Sequence, residues 1–131
     1  MKPNQLFHLA QKAFVEKNGQ VLILDHELGI DFPGGRVQEG ETDFTEELKR
    51  EVREEAGIEI EVGLPFITWY TIDEKTGIPN AVVGYKCKYI SGEITISHEH
   101  HGFQWVDKHT YKQLNNKDDF FPPLEQYFKN N

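Results

Sequence analysis

The first third of the chain has the apolar pattern of two strands joined by a tight turn. Residues 6–15 and 21–24 are strand-like runs, and the Asn-Gly pair at residues 18–19 is a strong signal for a β-hairpin. Residues 26–30 are predicted to form a loop that leads to a pair of glycines at residues 34–35. The pattern therefore predicts a hairpin, a loop and a tight glycine turn.

The next segment has the spacing of an amphipathic helix. Its apolar stripe is Phe44, Leu48, Val52 and Ala56. Thr42, Asp43 or Thr45 can cap its N-terminus, and Asp43 with Glu46 matches a capping box. Gly57 follows the last helical residue, where a left-handed cap favours glycine.

Beyond the helix, the chain returns to strand-like patterns and closes with helical segments. The predicted strands are residues 58–62, 66–72, 81–90, 93–96 and 103–106, and the predicted helices are residues 107–114 and 123–129. Strands on both sides of a central helix, with helices at the end, predict a layered α/β domain.

The composition supports one folded domain and argues against a nucleic-acid polymer or a membrane as its partner. The length of 131 residues suits a single domain, and a hydrophobic content of 37% argues against disorder. A formal net charge of -8 disfavours binding to a nucleic-acid polymer, which requires clustered basic residues. No apolar run approaches the roughly 18 residues of a membrane span, and the polar start does not resemble a signal peptide. Because Cys87 is the single cysteine, these features favour the cytoplasm.

Four glutamates crowd one side of the predicted helix. They are Glu47, Glu51, Glu54 and Glu55. At about 100° per residue they share an arc of roughly 100° that borders the apolar stripe. Like charges four residues apart destabilise a helix by about 0.2–0.5 kcal/mol per pair, and Arg50 is the cation best placed to offset them. A solvated face is the ordinary explanation, but carboxylates at the edge of a core favour a hard divalent cation.

The residues around this helix resemble the signature of the Nudix hydrolases. The signature has the form G-x5-E-x7-R-E-U-x-E-E-x-G-U, where U is a bulky aliphatic residue. Gly35 and Glu41 match its first part, and residues 50–58 match its second part at every specified position. There is one departure, because eight residues separate Glu41 from Arg50 where the signature has seven.

This resemblance implies a fold, a reaction and a cofactor. The implied fold is a three-layer α/β/α sandwich with a mixed β-sheet, formed by residues 1–131 as one domain with the signature at residues 35–58. The implied reaction is hydrolysis of the diphosphate bond in a nucleoside diphosphate linked to another group, a small nucleotide substrate. The implied cofactor is Mg²⁺ or Mn²⁺. A homodimer is common in the family, and the sequence leaves the oligomeric state open.

The resemblance also assigns roles to particular residues. The implied metal ligands are Glu51, Glu54, Glu55 and the carbonyl group of Gly35. Arg50 would orient these carboxylates by salt bridges. Arg36 and Glu41 are candidates for contact with the substrate, and Glu41 could alternatively hold its loop.

Two residues are candidates for the catalytic base. Glu54 lies in the helix, and Glu99 lies shortly before the Trp105-Val106 pair, as in a late loop of MutT-like members. Glu99 could alternatively be an extra metal ligand. Neighbouring histidines could suggest zinc, but the sequence offers no matching ligand set. Four aromatic residues are predicted to be core rather than a stacking surface for a base, namely Phe66, Trp69, Tyr70 and Tyr85.

The substrate class and the alternative functions are inferred from markers that the sequence has or lacks. The markers of ADP-ribose, dinucleoside polyphosphate and NADH hydrolases are absent after the signature, which favours a nucleoside triphosphate or a similar small nucleotide. A non-catalytic Nudix-like module that binds nucleotides is the alternative, although such modules usually lack a glutamate that this chain keeps. An isoprenoid diphosphate isomerase is disfavoured, because Cys87 falls in a predicted mid-chain strand.

Overall fold

The structure is a computed structural model that describes residues 1–27, 29–114 and 119–130. Within them the chain forms strands, two α-helices and a short 3₁₀ turn. In chain order the elements are β1 (His8–Lys17), β2 (Gln20–His26), β3 (Gly29–Asp31), β4 (Gly34–Arg36), α1 (Phe44–Ala56), β5 (Glu59–Ile72), β6 (Pro79–Ser91), β7 (Gly102–Val106), the 3₁₀ turn (Tyr111–Gln113) and α2 (Phe121–Lys129).

The strands form one mixed sheet with β1 at its centre. The order is β3-β2-β1-β6-β5, with β4 also paired to β1 and β7 also paired to β2. β1 runs parallel to β6, with His8 opposite Asn80, whereas β1 and β2 form the predicted antiparallel hairpin. Parallel pairing brings the starts of β1 and β6 to the same end of the sheet, beside the end of β5.

A helix covers each face of this sheet. On one face α1 packs through Leu48 and Val52 into a core that includes Val15 of β1. On the other face α2 contributes Leu124 to a core that includes Phe14 of β1. Consecutive residues of a strand point to opposite faces, so Phe14 and Val15 belong to different cores. The predicted α/β/α sandwich with a mixed sheet is confirmed.

Helix α1 begins and ends where the sequence indicates. The Asp43 side chain accepts a hydrogen bond from the backbone N–H of Glu46 at 3.2 Å, which identifies Asp43 as the N-cap. Gly57 has a φ of +73° and forms the left-handed C-cap. The predicted apolar stripe is wrong at Phe44, which is 43% exposed. Helical spacing gives the direction of a side chain, but not whether other elements cover the first turn.

Two segments differ from their predicted structure because of long-range hydrogen bonds. Residues 26–30 are not wholly a loop, since β3 pairs antiparallel with the extended end of β2. Residues 93–96 do not form a strand, and Thr95 instead donates its backbone N–H to the carbonyl of Ala56 at 2.9 Å. This bond attaches the segment to the end of α1.

The closing segments also differ from the prediction. The helix predicted for residues 107–114 is only the 3₁₀ turn, whereas α2 starts two residues before its predicted start. Prolines in its first turn suit positions whose N–H groups have no helical partner. No helix in the described part of the chain is long and apolar enough to cross a membrane.

The predicted strands 58–62 and 66–72 form the single strand β5, with irregular pairing around Pro65. Its aromatic side chains have different environments. Phe66 and Trp69 pack against the core under α2, and Tyr85 of β6 packs against the core under α1, as predicted. Tyr70 is 57% exposed, so its assignment to the core was wrong. Its strand lies at the edge of the sheet.

Candidate functional site

The paired glycines lie where β4, β1 and α1 meet. β4 pairs antiparallel with β1, and Gly35 is opposite Gln11. Gly34 has a φ of +145°, and a Cβ there would lie 2.0 Å from the carbonyl oxygen of Gln11, so this position requires glycine. A Cβ on Gly35 would lie 2.5 Å from Oε2 of Glu51. The bare backbone of Gly35 therefore lies directly against the carboxylate of Glu51.

Two carboxylates of α1 face this backbone. Oε2 of Glu55 lies 3.4 Å from the backbone nitrogen of Gly34. Burial raises the pKa of Glu55 to about 7, and burial together with a hydrogen bond to Glu47 raises the pKa of Glu51 to about 7. Such shifts mean that the carboxylates lack sufficient positive charge around them. Oxygen ligands beside a bare backbone, in need of positive charge, fit a hard divalent cation.

Arg50 binds the remaining carboxylates of the acidic arc. Its Nη1 donates to Oε1 of Glu54 at 2.7 Å, and its Nη2 lies 3.4 Å from Oε1 of Glu51. Hydrogen bonds to Glu47 and Glu54 raise the pKa of Arg50 above its ordinary value. The Glu54 side chain is 60% exposed and is held by Arg50. As they stand, no three Asp, Glu, His or Cys side chains of the described residues form a group that could hold a metal ion.

Glu47 is a buried member of the acidic arc. Its side chain is 2% exposed, and its carboxylate accepts hydrogen bonds from both Nε and Nη2 of Arg50. These bonds from Arg50 hold the pKa of Glu47 below its ordinary value. The helical spacing predicts that Arg50 pairs with Glu54 or Glu47, and the structure shows both contacts. The sequence does not indicate that the Glu47 side chain is buried.

A second buried cluster of charges lies beside these glutamates. Nζ of Lys12 on β1 lies 3.0 Å from Oδ1 of Asp31, and Nε2 of His100 lies 3.1 Å from Oδ2 of Asp31. Burial opposes charge on Lys12 and Asp31, but their mutual attraction outweighs it, so the pKa of Lys12 is raised and that of Asp31 is lowered. The hydrogen bond to Asp31 raises the pKa of His100. No pattern in the sequence indicates this cluster, because its members are far apart in the chain.

The late loop that carries Glu99 is attached to both α1 and β2. Ser97 donates its backbone N–H to the carbonyl of Glu55 at 3.0 Å, and His101 donates its backbone N–H to the carbonyl of Asp25 at 3.0 Å. Glu99 itself is exposed. The structure therefore brings the loop beside the end of α1, and Glu99 lines the adjoining cavity.

That cavity has a volume of about 860 Å³. Its lining includes Asp31, Arg36, Thr71, Asn80, Glu99 and Phe120. Asn80 is 7% exposed and donates from Nδ2 to Oγ1 of Thr71 at 3.1 Å, while its Oδ1 is buried without a hydrogen-bond partner. The lining of the cavity thus includes a polar acceptor and an aromatic ring.

Two predicted substrate residues have different positions. Arg36 lines the cavity and donates from Nη2 to Oδ2 of Asp73 at 2.7 Å. Glu41 is exposed and does not line this cavity. Arg36 is thus the one of the pair that the structure brings to the cavity.

A second cavity, of about 660 Å³, lies toward the other end of β1. Its lining includes Glu16, Glu61, Lys88 and Tyr127, and none of the predicted site residues. Glu16 is opposite Lys88 in the parallel pair, whereas Lys12, beside the glutamates, is opposite Gly84. The acidic helix and this cavity are therefore separate features of the molecule.

Comparison with protein families decides the assignment. A family model described as the NUDIX domain matches residues 7–127. The chain belongs to the Nudix family. As a Nudix hydrolase it is a pyrophosphohydrolase, which is the enzyme class that the sequence predicts. The comparison with curated protein sequences found no match.

Solved structures of Nudix and MutT proteins share the fold. The MutT protein from Methanosarcina mazei Go1 is 20% identical, with a TM-score of 0.81, and the match covers 98% of this chain and 97% of that one. The ORF135 protein of E. coli is 23% identical, with a TM-score of 0.78 and coverage of 94% and 89%. A UDP-X diphosphatase is 17% identical, with a TM-score of 0.71 and coverage of 90% and 58%. At these identities the likeness concerns the fold.

Proposed function

We propose that this Nudix domain, residues 1–131, hydrolyses the diphosphate bond of a small nucleotide with the help of Mg²⁺ or Mn²⁺. The substrate would be a nucleoside triphosphate or a similar nucleoside diphosphate derivative. The observation that carries the proposal is the arrangement of Glu51 and Glu55 against the backbone of Gly34 and Gly35. Two partly buried carboxylates with raised pKa values beside a bare backbone are suited to a cation and a phosphate, but not to a packed core.

The chain supplies the ligands for such a cation from two elements. Glu51, Glu54 and Glu55 of α1, with the carbonyl of Gly35 on β4, would hold it. When bound, the ion supplies positive charge to the phosphate oxygens and acidifies a water molecule. Arg50 bonds Glu54 at 2.7 Å and lies beside Glu51, so it restricts both carboxylates. Its role is to orient the ligands.

We propose Glu99 as the catalytic base, with Glu54 as the alternative. Glu99 lines the cavity, and its loop is held to α1 by the bond from Ser97 to Glu55. Glu54 is bound to Arg50, which reduces its freedom to accept a proton. Loss of a general base typically costs about 10²–10⁴-fold in rate. Replacement of each glutamate by glutamine distinguishes them: the base variant is expected to lose the acidic limb of the pH profile of kcat, whereas loss of a ligand raises the metal concentration required.

The cavity is the proposed site for the nucleoside. Phe120 provides an aromatic face on which a base can stack, and the unpartnered Oδ1 of Asn80 can accept a hydrogen bond from it. Arg36, at the rim, would bind a phosphate oxygen in exchange for Asp73. Because the similar structures include a UDP-X diphosphatase and MutT proteins, nucleotide sugars belong in a substrate screen beside nucleoside triphosphates.

Two further parts of the proposal concern location and assembly. A cytoplasmic location agrees with the buried Cys87, whose pKa burial raises to about 12, so that the thiol is unreactive. A homodimer is proposed through the edge strand β5, on which Leu64 and Ile72 are exposed. Gel filtration with light scattering would measure the oligomeric state, and a monomer at all concentrations would refute the proposed homodimer.

The test of the function is a screen for Mg²⁺-dependent phosphate or pyrophosphate release. The panel is nucleoside triphosphates, nucleotide sugars, ADP-ribose and dinucleoside polyphosphates, and turnover of at least one is expected. Glu46→Gln serves as the matched control, because Glu46 lies on α1 with a 62% exposed side chain. If no compound is hydrolysed but one binds tightly, the non-catalytic nucleotide-binding module replaces the enzyme as the explanation.

A further inference from the structure

The glutamate nearest to Arg50 is not the one in the first part of the Nudix signature. Glu41 is exposed and takes part in no ion pair within residues 1–27, 29–114 and 119–130. Arg50 instead makes its two-point contact with Glu47, through Nε at 3.3 Å and through Nη2. The two contacts give the guanidinium group one defined orientation.

We infer that Glu47 is a positioning residue, which orients Arg50 and through it the glutamates that the proposed function assigns to the metal. The inference rests on that proposed function. Nη1 of Arg50 is left to bond Glu54 at 2.7 Å, and Nη2 also lies beside Glu51. One guanidinium group thus connects a buried anchor to two of the proposed ligands.

The burial of Glu47 distinguishes this contact from an ordinary helical ion pair. Exposed pairs at this spacing contribute little to stability and are not held in one orientation. The Glu47 side chain is 2% exposed, and its carboxyl group also shares a hydrogen bond with that of Glu51. A buried carboxylate with fixed partners has one arrangement, which it imposes on Arg50.

The extra residue between Glu41 and Arg50 explains why a helical residue has this role. Asp43 caps α1, so Glu41 lies before the helix, in a turn where its N–H bonds the carbonyl of Gln38 at 3.1 Å. An added residue there changes the position of Glu41 relative to Arg50. The distance between Glu47 and Arg50 is set by the helix itself and does not depend on that connection.

Binding of Mn²⁺ without substrate is the experiment that tests the inference. The affinity of the wild-type protein, Glu47→Gln and the matched control Glu46→Gln would be measured by calorimetry, with thermal melts in EDTA to verify folding. Loss of a group that orients metal ligands typically costs about 10–100-fold in affinity or activity. We expect that loss for Glu47→Gln, no change for Glu46→Gln, and a smaller loss for Glu41→Gln.

Kinetics and a second variant complete the test. With Mg²⁺ limiting, Glu47→Gln should require more metal for half-maximal rate while the KM for nucleotide changes little, and Glu47→Asp should restore part of the affinity.

Arg50→Lys keeps Glu47 but replaces the forked contact by a point charge. Arg50→Lys should lose a similar amount of Mn²⁺ affinity, and it tests the inference even if Glu47→Gln does not fold. The double variant Glu47→Gln with Arg50→Lys should be no weaker than the worse single variant.

Each outcome separates this inference from the proposed function. If the wild-type protein binds no Mn²⁺, the metal site itself is wrong. If the wild-type protein binds Mn²⁺ and both Glu47→Gln and Arg50→Lys bind it equally well, the metal site stands and the role of Glu47 is refuted. Additive losses in the double variant would likewise contradict action through Arg50.

Discussion

Two neighbouring clusters of buried charge in this Nudix domain are balanced in opposite ways. Asp31 is flanked by Lys12 and His100 at 3.0 and 3.1 Å, and its pKa is held below the ordinary value. Glu51 and Glu55 lie against the glycines, and their pKa values are raised to about 7. The first cluster is neutralised by the protein itself. The second needs positive charge from outside, which is the property expected of a binding site.

The largest predicted effect separates catalysis from stability at Glu55. Glu55→Gln should lower kcat by roughly 10²–10³-fold, as loss of a group that stabilises charge in the transition state does. The metal-free protein should be as stable as wild type or more so, because a poorly compensated buried charge is removed. Turnover assays and urea denaturation in EDTA measure the two quantities. Wild-type turnover in this variant would rule out Glu55 as a metal ligand.

The Asp31 cluster should give the opposite result. Asp31→Asn removes the nearest counter-charge of the partly buried Lys12, and breaking a buried pair in this way costs up to about 3–5 kcal/mol of stability. The free energy of unfolding from urea denaturation is the measurement. Lys12→Met in the same background removes the unpaired cation and should recover part of the loss. An unchanged stability in Asp31→Asn would mean that the two clusters do not differ as described.

The smallest predicted effect is a dependence of stability on pH that metal removes. In the unfolded chain Glu51 and Glu55 have the ordinary pKa of 4.5, whereas in the folded chain their pKa is about 7. The folded, metal-free protein therefore holds more protons in this range, and its stability should fall as the pH rises from about 4.5 to about 7. The contribution of Asp31, whose pKa is lowered, is lost only at acidic pH, below its ordinary value of 3.8.

Urea denaturation between about pH 5 and 8, in EDTA and in saturating Mg²⁺, measures this dependence. Mg²⁺ should stabilise the protein more at the higher pH, because protons compete with the metal for the carboxylates. Glu55→Gln should reduce the slope found in EDTA. A stability that rises with pH in EDTA over this range would contradict the raised pKa values.

Much of the fold was predictable because its signals are local. The hairpin turn and both caps of α1 depend on a few adjacent residues, and each is found where the sequence places it. The segment at residues 93–96 was mispredicted because its backbone bonds the end of α1 rather than another strand. Phe44 was misplaced because the cover of a helical turn depends on elements elsewhere in the chain.

The candidate site, like the fold, has some features that follow from local sequence and others that follow from long-range contacts. The family, the central acidic helix and the glutamates at the signature spacing follow from the sequence alone, since the period of a helix fixes which side chains share a face. Three features appear only once the layers have assembled: Glu47 is buried against Arg50, Asp31 meets Lys12 and His100, and Asn80 lies in a cavity with Phe120. These contacts join residues of different strands, helices and loops, or depend on cover by them. Burial and charge compensation are properties of the assembled layers, which no local pattern contains.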